Sequence, residues 1–412
     1  MIENLQGRRG EIKRLKAELH LLESRRSLPV PQELLEHIFK YSVHLYGQLP
    51  ERLLLVCRTF YVVAINCRAL WTGLNPVRQC ALHYLPLWAG TFIQSRVARS
   101  NPVPLDIDFS DIRSLEMTED LAKKISDIPT LLQRCRSVVI STSSGLHFFQ
   151  GFQPLLESLT LEHLYMEKYH PSPKPWESVG ECPNLRSLKL RTSESRQRWP
   201  DHLFQQLTHL EIMMPLQKGN NPSYHHVILP ITMRLRSLTV GITFGIPQPV
   251  IHQSLRTLVL VYRIPWVVEI TNNLGEIVCP ELRQLEIRGP FSELLSSIHI
   301  RHTQKLSDLR LVEGRGTAYD EEGRRKWVDS IVELLRSIGT VKHLEFEIDI
   351  EVVSGLVEKL EADPTLCPDL VSLRAEPTRH ASKRERSFLL KLEARVSERY
   401  QYLGGERGIV IS

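Results

Sequence analysis

From residue 135 to residue 375 one spacing of apolar and polar positions keeps returning: Leu, two other residues, Leu, one other residue, then an apolar side chain. The copies are Leu156-Leu159-Leu161, Leu185-Leu188-Leu190, Leu207-Leu210-Ile212, Leu235-Leu238-Val240, Leu255-Leu258-Leu260, Leu282-Leu285-Ile287, Leu306-Leu309-Leu311, Val341-Leu344-Phe346 and Leu370-Leu373-Ala375. A weaker Cys135-Val138-Ile140 precedes them. Successive copies begin 20 to 35 residues apart, about 26 on average, a period that signals stacked supersecondary units. In a Leu-rich chain of this length, random placement yields roughly two or three such hexads. Leu82-Leu85-Leu87, out of phase with the rest, is of that kind. Shared dressing separates the array from chance. Leu185-Arg186-Ser187-Leu188 and Leu235-Arg236-Ser237-Leu238 are identical, and Cys-Pro-x-Leu leads into hexads at Cys182, Cys279 and Cys367.

Each hexad predicts a turn running into a short strand, its three apolar residues toward a core and the intervening ones toward solvent. One unit cannot close that core, so the units must stack into a solenoid. The pattern is that of a degenerate leucine-rich-repeat array, less regular than a ribonuclease-inhibitor-like horseshoe. Helical patterns lie between hexads. Asp320–Ile338 sets Trp327, Ile331, Leu334, Leu335 and Ile338 on one face, with Gly339 as a stop. Phe291–Ile300 and Glu351–Leu360 are shorter helical candidates. Pro102–Phe109 alternates like a strand and is expected to open the solenoid after helices near 77–99. Ser382–Tyr400, with Phe388, Leu392 and Val396 on one side, is expected to cap its far end.

The N-terminal pattern is different. Pro31 suits a first helical position, and Glu33 in the first turn favours the helix dipole. Leu34, Leu35, Ile38 and Phe39 then share one face at helical spacing. A second helix from about Glu51 to Ile65 sets Leu53, Val56, Cys57, Phe60 and Ala64 along a stripe. Two short helices cannot bury this much apolar surface between themselves, so they need the next domain or a partner.

Val30-Pro31, Ile38-Phe39, Val56-Cys57-Arg58-Thr59-Phe60 and Leu70-Trp71 resemble the motif positions of an F-box, with Leu28-Pro29 just upstream. Val30 stands where Leu is usual and Phe60 where Trp is usual. An F-box followed by leucine-rich repeats is similar to the fungal F-box/leucine-rich-repeat type. The resemblance implies docking on the Skp adaptor and cullin scaffold of a ubiquitin ligase. The adaptor-binding residues it implies are Leu28, Pro29, Val30, Pro31, Leu34, Leu35, Ile38, Phe39, Leu53, Val56, Cys57, Phe60, Leu70 and Trp71.

Composition narrows the picture. At 412 residues and 42% apolar the chain can bury more than one core. A net charge of +5 from 52 basic and 47 acidic residues is too balanced to imply nucleic acid. The seven cysteines include no Cys-x-x-Cys pair, and an odd, widely spaced set argues against both a zinc site and a disulfide scaffold. No apolar run approaches the roughly 20 residues that span a bilayer. The expectation is therefore a cytoplasmic and/or nuclear protein with no metal, cofactor or membrane anchor. His225-His226 lacks a third ligand at useful spacing, and no hydrolase elbow, phosphate loop, zinc-protease or dinucleotide motif occurs, so no enzyme is expected.

The residue between the last two apolar positions runs Thr160, Lys189, Glu211, Thr239, Val259, Glu286, Arg310, Glu345, Arg374. Alternating sign suits a protein partner better than a polyanion. Lys189, Glu211, Glu286, Arg310, Glu345 and Arg374 are the candidate target-binding residues of the concave face. The second hexad position carries Arg186, Arg236, Arg256, Arg283 and Lys342. It reads as a soluble edge whose stems cover the Leu ladder, with a basic ridge for an acidic partner as the other reading. The Cys-Pro cysteines are expected to be small buried residues at the corner before each strand.

The expected organisation is a heptad-like helix over 1–26, able to self-associate weakly, then an all-α F-box-like module over 27–75. A helical linker with a first strand over 76–134 follows, then the α/β solenoid of leucine-rich repeats over 135–378 and a capping helix and tail over 379–412. The function expected is that of a substrate-recognition subunit of a Skp–cullin–F-box ubiquitin ligase, binding an unknown target protein. The alternative is a leucine-rich-repeat scaffold not coupled to ubiquitination.

Overall fold

The hexads become the strands of one long ladder. The computed structural model describes residues 14, 30–46, 50–75, 85–110, 131, 133–140, 153–162, 181–191, 201–213, 231–242, 250–262, 277–289, 300–301, 305–313, 321–348, 350–363 and 365–375. Leu28, Pro29, Cys80, His225-His226, the helix expected at Ser382–Tyr400, and those expected over 1–26 and 291–300 apart from Arg14 and Ile300, lie outside the described residues.

Twelve strands form a single all-parallel sheet. They are β1 (Gly73–Leu74), β2 (Leu105–Phe109), β3 (Cys135–Ile140), β4 (Ser158–Glu162), β5 (Ser187–Arg191), β6 (His209–Ile212) and β7 (Ser237–Ile242), then β9 (Thr257–Tyr262), β11 (Gln284–Gly289), β13 (Asp308–Glu313), β14 (His343–Glu347) and β15 (Ser372–Ala375). Three short strands, β8 (Val250–Ile251), β10 (Ile277–Val278) and β12 (Ile300–Arg301), make a second parallel sheet. The strands follow chain order from one edge to the other, so the long sheet is open and not closed into a barrel.

Register follows the hexads residue for residue. Leu159 sits opposite Leu188, which sits opposite Leu210, and the row continues through Leu238, Leu258, Leu285, Leu309 and Leu344 to Leu373. A one-residue slip would turn every Leu to solvent, which is why the alternation pins the pairing. All three apolar positions of every hexad are buried. The ladder also runs past the strand ends. The amide before each strand donates to the matching residue of the previous unit, as in Arg256 N to Arg236 O at 2.8 Å and Arg283 N to Arg256 O at 2.8 Å.

Parallel sheets ordinarily have both faces covered. Here the Leu face is the buried one, and the residues between the leucines, mostly polar, point to the other side. Among the described residues, three helices pack on that face. They are α5 (Asp201–Gln205), α6 (Glu321–Ile338) and α7 (Ile350–Ala362), whose Phe204, Trp327, Leu335 and Leu356 join the core of the strands. Gly339 ends α6 with φ of 68° and donates its amide to Leu335 O at 2.9 Å, the left-handed stop that glycine makes without a Cβ penalty.

The N-terminal region holds α1 (Gln32–Tyr46), α2 (Pro50–Leu53), α3 (Arg58–Asn66) and a 3₁₀ turn at Arg68–Trp71, followed after β1 by α4 (Leu85–Ser100). Two expectations change here. The helix expected from Glu51 to Ile65 is broken at Leu54–Cys57. Cys57 is extended (φ −162°, ψ 170°) and caps a fresh helix, its Sγ accepting from Phe60 N at 3.5 Å and its carbonyl from Tyr61 N at 2.9 Å. The first strand of the sheet is Gly73–Leu74, paired to Asp106 and Ile107, so the strand expected to open the array is its second. Leu85, part of the out-of-phase hexad, begins a helix within the stretch where helices were expected, in keeping with that hexad being a chance match.

Candidate functional site

The helices of residues 30–71 enclose a small core of their own, separate from that of the sheet. Leu35, Phe39, Val63, Ala64, Cys67, Leu70 and Trp71 are buried in it, and Val30, Leu53 and Phe60 pack partly buried against it. Phe39 and Phe60 meet edge to face with centroids 4.8 Å apart. The indole Nε1–H of Trp71 donates to Ala64 O at 2.8 Å, which satisfies the ring's polar atom inside the core.

This core divides the residues expected to bind an adaptor. Leu35, Phe39, Leu70 and Trp71 are interior and build the module without reaching its surface. Pro31, Leu34, Ile38, Val56 and Cys57 face solvent, while Val30, Leu53 and Phe60 are half-buried. Leu34 and Leu35 are adjacent, and so are Ile38 and Phe39. At 100° per residue each pair straddles the boundary between core and surface, and only tertiary packing assigns the sides. Leu34 and Ile38 remain 50% and 49% exposed. Tyr41 extends their stripe at i+7, and Leu55 (86% exposed), Tyr61 and Val62 add further unburied apolar side chains. Sequence reasoning missed these last four. Tyr41 was accessible from its spacing to Leu34, whereas Leu55 needed the helix break to turn it outward. Fully burying one such side chain is worth about 1.5–3 kcal/mol, so a partner covering several of them gains enough for stable docking.

The module is tied to the sheet at one corner. The guanidinium of Arg96 on α4 pairs with Glu51 on α2, and its Nη1 donates to Gly73 O at 2.6 Å. Arg99 lies over the Trp71 ring with its guanidinium carbon 4.5 Å from the centroid.

On the open face of the sheet, Thr160, Lys189, Glu211, Thr239, Val259, Glu286, Arg310, Glu345 and Arg374 fall in one row across consecutive strands. Alternating sign along the chain becomes pairing across it. Lys189 lies 3.4 Å from Glu211, and Arg310 lies 3.7 Å from Glu286 and 3.4 Å from Glu345. The next row joins in. Arg191 sits 3.2 Å from both Glu162 and Glu211, Arg288 lies 2.6 Å from Glu286, and Arg310 reaches Glu347 at 3.5 Å. Five of the six candidate target-binding residues, Lys189, Glu211, Glu286, Arg310 and Glu345, are thus engaged with one another or their neighbours. Arg374 stands opposite Glu345. Exposed pairs of this kind are worth up to about 1 kcal/mol each and leave a nearly neutral surface.

The Cys-Pro cysteines occupy the corner three residues before the first Leu of each hexad. Cys182, Cys279 and Cys367 are buried, and their carbonyls accept the amides of Leu185, Leu282 and Leu370. Burial pushes their thiols up to about 11, 11 and 12, and that of Cys135 up to about 12. Such thiols are inert fillers of the core. His252 takes the same corner in its own unit, with Nε2 2.8 Å from Thr232 O, and burial lowers its pKa. Among the described residues no group of three or more His, Cys, Asp or Glu is placed to hold a metal ion. Among them, too, no helix is long and apolar enough to cross a membrane.

No family model matches this sequence. No curated protein matches it either. The surfaces themselves carry the functional argument.

Proposed function

We propose that this chain is the substrate-recognition subunit of a Skp–cullin–F-box ubiquitin ligase. The helices over 30–71 act as an F-box that docks on the Skp adaptor, and the strand ladder is a leucine-rich-repeat solenoid that presents a target protein. The observation that carries the reading is the unburied apolar stripe Leu34, Ile38 and Tyr41 on a module that already has a complete core of its own. A module needing only the sheet for cover would turn that stripe inward. Ubiquitin transfer belongs to other subunits in this reading, so the chain itself is no enzyme and acts by proximity, holding a target lysine near the charged conjugating enzyme. The cytosol or nucleus is where that assembly works.

Co-purification with the Skp adaptor tests the proposal. Wild type should bind, and Leu34→Asp/Ile38→Asp should lose binding while keeping the wild-type unfolding midpoint, because both side chains are outside the core. Equal recovery of adaptor with wild type and variant overturns the reading. Leu35→Asp is the wrong probe, since it buries a carboxylate in the module and unfolds it.

A scaffold with no ubiquitin link is the second reading. The Arg96–Glu51 pair and the continuation of Trp71 into β1 favour it, because they make the helices a fixed cap on the sheet.

A further inference from the structure

The row of side chains just before the strands differs from the open face in one respect: among the described residues, its central charges form no ion pairs. Arg236, Arg256 and Arg283 directly precede the adjacent strands β7, β9 and β11. The ladder amides fix their backbones one above another, Arg236 to Arg256 and Arg256 to Arg283, at the strand spacing of about 4.8 Å. All three side chains are exposed, and none of the three forms an ion pair among the described residues. Arg186 and Lys342 continue the row on either side, beyond Thr208 and Ser307. Glu281, beside them, is paired with Lys305 at 2.5 Å, and its pKa is lowered by that bond first and by the charges of Lys305, Arg283 and Arg256 after it.

The sequence around the ridge reinforces this. No Asp or Glu occurs between Glu211 and Glu269, although the chain has 47 acidic residues in 412. The same stretch carries Lys218, Arg234, Arg236, Arg256 and Arg263. Among the described residues the middle of the array is therefore a basic surface flanked by two self-neutralised ion-pair networks. Three like charges held in register cost stability in the isolated chain. An anionic partner recovers that cost.

We propose that the Arg236–Arg256–Arg283 ridge binds a carboxylate-rich segment of a protein partner laid across the strands. Guanidinium forks match carboxylates bidentately. An extended segment repeats its side chains on one face every ~6.8 Å, so a stretch of a few residues with alternate acidic side chains spans the ridge. The row offers no exposed aromatic ring for base stacking, which nucleic-acid grooves use. In the ubiquitin-ligase reading this ridge is the target-recognition surface, and that role rests on the reading; the binding itself does not.

The test is fluorescence anisotropy of the full chain with a labelled oligo-glutamate. Arg236→Gln/Arg256→Gln/Arg283→Gln should weaken binding about tenfold or more. Arg325→Gln/Lys326→Gln/Lys359→Gln removes the same charge from α6 and α7 and should leave binding near wild type. Equal loss in the two triples overturns the proposal, as does oligo-uridylate binding as tightly as oligo-glutamate at equal charge. If the ridge triple fails to fold, Arg256→Gln alone is read in the same assay, and unchanged binding there overturns it. Adaptor co-purification should be indifferent to the ridge triple, and oligo-glutamate binding indifferent to Leu34→Asp/Ile38→Asp, so failure of one reading is distinguishable from failure of the other.

Discussion

Arg96 forks onto both carboxylate oxygens of Glu51, Nε to Oε1 at 2.9 Å and Nη2 to Oε2 at 2.6 Å, across 45 residues of sequence. The guanidinium is 1% exposed and the carboxylate 33%. This pair joins the helical module to α4.

Its two halves should not be equally costly to remove. Glu51→Leu strands a buried guanidinium and should cost about 3 kcal/mol. Arg96→Met leaves a carboxylate that already meets water and should cost about 1–2 kcal/mol. The double variant should be more stable than Glu51→Leu alone. Urea unfolding of the three variants checks the order, and equal losses for the two singles would sink it.

Gly339 makes a second, purely conformational prediction. A Cβ there meets nothing within 4 Å, so Gly339→Ala should cost only the left-handed backbone penalty at φ 68°, about 1 kcal/mol. Gly339→Asn should cost less. A loss several times larger in the unfolding midpoint would mean the end of α6 is held by something other than backbone preference.

The buried thiols set an alkaline limit. Cys135, Cys182, Cys279 and Cys367 are raised to about 12, 11, 11 and 12 from an ordinary 9.0. Above pH 9 the unfolded chain loses protons that the folded chain keeps, so the stability these thiols contribute is complete below pH 9 and drains away as pH rises toward their folded values. In native protein at pH 8, iodoacetamide should modify exposed Cys57 and spare these four. Mass mapping of the alkylated sites reads this directly, and rapid modification of Cys279 would contradict it.

His252 sets an acidic limit. Burial lowers its pKa below the usual 6.5, with the bond to Thr232 O pulling partly back. Below pH 6.5 the unfolded imidazole takes a proton that the folded one refuses, so stability present above 6.5 is lost as pH falls toward the lowered folded value. His252→Asn keeps a donor for Thr232 and has nothing to titrate. Its unfolding midpoint should fall less between pH 7.5 and 5.5 than that of wild type, and an equal fall would refute the assignment.

Much of the ladder was legible beforehand. Leu-x-x-Leu-x-apolar names the buried row, and a side-chain period of two excludes the one-residue slip that would turn Leu258, Leu285 and Leu309 outward. The same pattern located α6, its apolar face and its glycine stop, because 3.6-residue periodicity and a terminal Gly are local signals. The burial of Cys182, Cys279 and Cys367 followed from their fixed place before each hexad.

The candidate sites were legible only in part. Leu34 and Leu35 look alike in any helical projection, and their opposite fates depend on where Phe60, Val63 and Trp71 arrive from later in the chain. Cys57 gave no sequence sign that it would break a helix and turn Leu55 outward.

By itself, then, the sequence determined which hexad side chains line the core of the sheet and which hexad strands are neighbours, since both are written in spacing along the chain. Only the tertiary structure decided how charge is distributed. Lys189 finds Glu211 and Arg310 finds Glu345 because adjacent strands bring residues of different units within a few ångströms. Arg236, Arg256 and Arg283 come together, with no ion pair to any of them among the described residues, for the same reason. Coulomb interactions depend on distance in space, and distance in space is what a stacked fold supplies.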